Sequence, residues 1–129
     1  MNNEDLKAIA EKVISKVPNQ EPEKFGSVVL ILMVISIILT LIRVLQECNK
    51  SKIKALNRKE KYAFFGSNIK EVCDRQSWFT RMTIKKMIRK ELSKEDYQKY
   101  GGPLMLSILA TGVNLTDDEI KTLVEAANV

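Results

Sequence analysis

Histidine is absent from this 129-residue chain, and cysteine occurs only as Cys48 and Cys73. Without imidazole, most catalytic triads and acid–base pairs cannot be built. Two distant thiols without CxxC spacing do not make a zinc ligand set, so neither a metal nor another cofactor is expected. Glycine (5), proline (3) and aromatics (6%) are all scarce, which argues against a sandwich or barrel built on tight turns. No phosphate loop is present, since FGSN and YGGP lack a GK[ST] ending, and there is no GxSxG. Asp117, Asp118 and Glu119 crowd one helix start without the twelve-residue ligand pattern of a calcium loop. The expectation is a protein without enzymatic activity.

What the chain has in quantity is helix-period sequence rich in Lys, Leu, Ile and Glu, which points to an all-α fold. Its most specific feature is the uncharged run FGSVVLILMVISIILTLI, Phe25 to Ile42. As a helix this run spans about 27 Å, close to the roughly 30 Å hydrocarbon thickness of a bilayer. Arg43 can snorkel to the headgroups while Val44 and Leu45 extend the apolar stretch. A helix apolar all round needs cover on every side, and a chain this short supplies little of it. A cleaved signal peptide does not fit, because 24 residues of net negative charge precede the run. One transmembrane helix over 25–45 is therefore expected.

Charge is unevenly divided about this run. Lys7, Lys12, Lys16 and Lys24 before it are balanced by Glu4, Asp5, Glu11, Glu21 and Glu23, whereas the formal excess of +5 comes from beyond Arg43. Lys50, Lys52, Lys54, Arg58, Lys59 and Lys61 form a polybasic segment directly after the span. Positive-inside bias then predicts an outside N-terminus and a cytoplasmic C-terminus. Near anionic headgroups each such cation contributes about 1 kcal/mol. Both thiols would stay reduced in the cytoplasm, and Cys48 lies where S-acylation can occur.

Before the span, Leu6, Ile9, Ala10, Val13, Ile14 and Val17 make an amphipathic stripe that Asn3 can cap and Pro18 ends. PNQEPEK (18–24) reads as an extended connector. Beyond the polybasic segment, Gly66-Ser67-Asn68 is expected to break the helix and open a chain of short ones. Ser77 can cap WFTRMTIKKMIRKEL, whose outer face holds Arg81, Lys85, Lys86, Arg89 and Lys90. Ser93 can cap KEDYQKY, which Gly101-Gly102 would end, and Pro103 suits the start of LMLSILAT, closed by Gly112. Thr116 with Glu119 is a full capping box, and Leu115 with Ile120 its hydrophobic staple. The expected core is Trp78, Phe79, Ile84, Ile88, Leu92, Leu106, Leu109, Ile120 and Val124. The expected units are an amphipathic helix and linker (1–24), the transmembrane helix (25–45), a polybasic juxtamembrane segment (46–65) and a small cytoplasmic bundle of short helices (66–129).

The ending GVNLTDDEIKTLVEAANV (112–129) resembles the C-terminal stretch of phage holins of the LL-H type, which join one membrane span to a charged helical tail. That resemblance implies a self-associating protein able to form membrane lesions. The residues themselves imply a membrane-anchored structural or interaction module, such as a phage or viral accessory or virion protein. Its expected partners are anionic lipid and a protein partner or second copy. A tether holding nucleic acid through Arg81–Lys90 is a further alternative, although the polybasic segment lacks interleaved aromatics for stacking.

Overall fold

A computed structural model describes residues 3–17 and 27–129. The 18–24 connector, Phe25 and Gly26 at the start of the apolar run, and the capping side chain of Asn3 lie outside what it describes. The described residues are mostly helical and contain no strand. In chain order the helices are α1 (Asn3–Ser15), α2 (Ser27–Cys48), α3 (Lys50–Lys54), α4 (Arg58–Arg75), α5 (Trp78–Glu91) and α6 (Lys94–Asp96). A π-helical turn over Tyr97–Gly101 then leads into α7 (Gly102–Val113), and α8 (Asp117–Ala126) closes the chain.

α2 is the element around which the others gather, and α1, α4, α5 and α8 all pack on it. Its Leu30, Val34, Ile37 and Ile42 are buried at 6% exposure or less. The α1 stripe is buried as its spacing dictates, with Leu6, Ile9, Ala10, Val13 and Val17 all inside. Besides α2, it covers α7 and α8. Two polar ties fix this docking. Lys12 Nζ pairs with Glu119 Oε1 at 3.2 Å, and the buried Ser107 hydroxyl donates to the Val13 carbonyl.

Side-chain caps open four of the helices. Asn57 opens α4 with a reciprocal box, accepting the Glu60 N–H while the Glu60 carboxylate accepts the Asn57 N–H. Gln76 ends α4 in the left-handed region at φ 49°, and Ser77 accepts the Thr80 N–H to start α5. Ser93 accepts the Asp96 N–H, and Thr116 with Glu119 forms the expected box at α8.

Several expectations are corrected. Gly66-Ser67-Asn68 does not break a helix: α4 runs through it, with the Asn68 amide donating to the Phe64 carbonyl one turn back. The interruption falls earlier, at Ala55 to Asn57. Gly101-Gly102 does not stop the chain, because a π turn carries it directly into α7. Trp78, Phe79 and Leu106 are not core residues but stand 75%, 61% and 50% exposed. Thr80 takes the inward position on α5 instead, completing the i, i+4, i+8 line with Ile84 and Ile88. Leu92 is half-buried, while Ile84, Ile88, Leu109, Ile120 and Val124 are buried as expected. α1, the helix of residues 3–15, packs against α7 and α8 as well as α2.

The α4–α7 contact is close enough to require a missing side chain. A Cβ on Gly112 would overlap the Cys73 sulfur and stand 3.2 Å from the Cys73 Cβ. Gly112→Ala should therefore cost about 1–3 kcal/mol by overpacking, and adding Cys73→Ala should recover part of it. Urea denaturation of the full-length chain measures both; a neutral Gly112→Ala would contradict this packing. On α8, Leu123 is 1% exposed. Leu123→Asp should cost several kcal/mol, where Thr116→Ala costs about 1 kcal/mol; equal effects would mean that α8 is misplaced.

Candidate functional site

Two surfaces are candidates for a functional site, and each follows from which face of a helix its neighbours leave uncovered. The first is on α2. One side of this helix faces the bundle; on the other, Val28, Val29 and Leu32 are 66%, 60% and 61% exposed. No charged residue occurs from Val28 to Ile42. A soluble bundle normally places polar side chains on the outer face of such a helix. Ser36 and Thr40 add little polarity, because the Thr40 hydroxyl is satisfied by the Ser36 carbonyl at 2.8 Å. α2 is long and apolar enough to cross a membrane, and only 39% of its apolar window is buried.

The second surface is cationic. Lys50, Lys52, Lys54, Arg58 and Lys59 are exposed on α3 and α4, and Lys61 is half-buried. Lys52 stands over the Phe64 ring at 5.2 Å from its centre. On α5, Arg81, Lys85, Lys86, Arg89 and Lys90 are all exposed, as their spacing predicted. Arg89 lies 4.8 Å from the centre of the Tyr97 ring. Among the described residues, Arg81, Lys85, Lys86 and Lys90 have no acidic partner within 4 Å. Trp78, Phe79 and Met82 share that solvent-facing side of α5. The two aromatics, expected in the core, are turned off the inward line that Ile84 and Ile88 set by their i, i+4 spacing.

Elsewhere the arrangement offers structural chemistry. An open groove between α1 and α8 is lined by Asp5, Ala8, Asp118, Glu119, Lys121 and Glu125. Burial pushes the Glu119 carboxyl upward, but the Thr116 N–H and the Lys12 ammonium more than offset this and hold it below its ordinary value. The tie therefore stabilises the bundle at neutral pH and is lost as pH falls through the lowered Glu119 value. The Tyr62 hydroxyl donates to Glu125 at 2.6 Å, which raises the phenol and lowers the carboxylate. Among the described residues, no three Cys, Asp or Glu side chains gather as metal ligands.

No family model, no curated protein and no solved structure matches this chain. The stretch 112–129 that resembles a holin ending forms the end of α7 and the capped helix α8, whose Ile120, Leu123 and Val124 are core residues.

The thiols give a direct check on this packing. Cys48 is exposed, whereas Cys73 is 3% exposed and burial pushes its thiol up to about 11. At pH 7.5 a maleimide should modify Cys48 rapidly and Cys73 only after denaturation. Comparable rates in the folded chain would contradict the α4–α7 contact.

Proposed function

We propose that this chain is a non-enzymatic membrane anchor and interaction module, in which α2 crosses the bilayer and carries a helical domain to the membrane surface. The observation that carries this reading is the exposed apolar face of α2 at Val28, Val29 and Leu32. Each such side chain gains about 1.5–3 kcal/mol when taken out of water. A bilayer would cover that face over the whole helix.

Spanning and the packed bundle are alternative arrangements of one chain. While Lys12 holds Glu119 and Ser107 holds the Val13 carbonyl, α1 and α7–α8 lie on the same side of α2. The orientation favoured by the lysines, outside at α1 and cytoplasmic from Lys50 onward, requires α1 to leave these partners. It also requires α2 to leave Ile69, Cys73 and Ile108, which share a small cavity with Ile38 and Ile42. Lipid compensates by covering both sides of α2, and the α1 stripe can lie in the outer interface. Acid eases the exchange, because protonating Glu119 removes the Lys12 tie.

Alkaline carbonate extraction tests the anchor: the chain should remain with the membrane pellet, and its release would contradict spanning. Labelling of intact cells with an impermeant maleimide tests the orientation. An exposed Ala8→Cys should react from outside, while Cys48 should react only after permeabilisation. If Cys48 reacts from outside and Ala8→Cys does not, the orientation is the reverse.

A further inference from the structure

We infer that the outward face of α5 is an interfacial docking surface for an anionic phospholipid leaflet, with Trp78, Phe79 and Met82 entering the headgroup–acyl boundary and Lys85, Lys86, Arg89 and Lys90 meeting the phosphates. The face is set by the helix register. Thr80, Ile84 and Ile88 are buried at 4% or less and fix the inward edge. At 100° per residue, Phe79, Met82, Lys86 and Arg89 then point away from the bundle, flanked by Trp78 and Lys85 on one side and Lys90 on the other. Exposure agrees: Trp78 is 75%, Phe79 61% and Met82 47% exposed, and the four cations are exposed as well.

These residues are sorted along the helix. The apolar group occupies the first turns of α5, with the exposed Arg81 beside it, and the other four cations lie in the last turns, about 10 Å further along the axis. Glu91, the one acid in α5, follows the last of these cations. Large apolar side chains left in water beside exposed cations match an interface that is apolar below and anionic above. Trp and Phe are suited to that depth, and the long Lys and Arg stems reach back to phosphate. A nucleic-acid groove would instead interleave stacking rings with cations, and the aliphatic Met82 adds nothing to stacking. The capped, left-handed junction at Gln76-Ser77 holds α5 in this register.

This docking does not depend on α2 spanning the bilayer. It works for a peripheral bundle and for an anchored one, so the test reads the two separately. Trp78 is the single tryptophan, so its emission reports this face alone. The full-length chain is mixed with vesicles of phosphatidylcholine, with or without phosphatidylglycerol, and carbonate extraction of the same samples reports α2. Trp78 emission should shift to the blue and be quenched by brominated acyl chains with anionic vesicles only, and salt should reverse both. Lys86→Glu with Arg89→Glu, both exposed positions, should weaken the anionic response roughly tenfold or more, with helicity unchanged. Water-like emission in both lipids overturns the inference. So does an equal shift in neutral vesicles, or a response to DNA in place of vesicles. Loss of α2 from the pellet while Trp78 still responds would remove the anchor and leave this surface standing.

Discussion

The structure depends on covering α2, a helix with no charge from Val28 to Ile42. Such a helix must be removed from water on every side, and the chain has two sources of cover. One is the rest of its own chain: α1 supplies Leu6, Ile9, Val13 and Val17, α4 supplies Ile69, α7 supplies Ile108, and the link into α8 supplies Leu115. The other is whatever meets Val28, Val29 and Leu32, which the bundle leaves bare. That face is where the proposed bilayer would complete the cover.

The rest of the molecule follows from how α1 is held. Its inner stripe is apolar and would bind any apolar face, whereas the Lys12–Glu119 pair and the Ser107–Val13 bond specify one docking. The ion pair is partly exposed, so its contribution is small and falls with acid or salt. The buried hydroxyl has a fixed partner and no access to water, so parting α1 from α7 leaves it to be satisfied elsewhere. Apolar contact thus supplies the affinity of α1, and two polar contacts supply its address. A bilayer competes with the first and not with the second.

Much of the fold was legible because helix ends are local. The capping box at Thr116, the Ser77 and Ser93 caps and the α1 stripe depend on residues within one or two turns of one another. The α2 run was legible from composition alone. What was not legible came from contacts between distant residues. Gly66 in α4 resembles a breaker, but α4 packs on α7 and α8, which holds the helix straight through it. Trp78 and Phe79 look like core residues by type, yet their neighbour Thr80 is the one turned inward. The cationic face of α5 was readable from spacing; its aromatic part was hidden by the assumption that large apolar residues are inside. That α1 meets α8 could not be read at all, since only packing brings Lys12 to Glu119.

The most direct measurement is the distance between α1 and α8 with and without a bilayer. Spin labels at Ala8→Cys and Asp118→Cys, positions lining the same groove, report it once the exposed Cys48 is replaced by serine. The distance should be short in water and, in reconstituted vesicles, longer than the roughly 30 Å hydrocarbon layer. A short distance that persists in the bilayer would contradict a spanning α2 with its two ends on opposite sides.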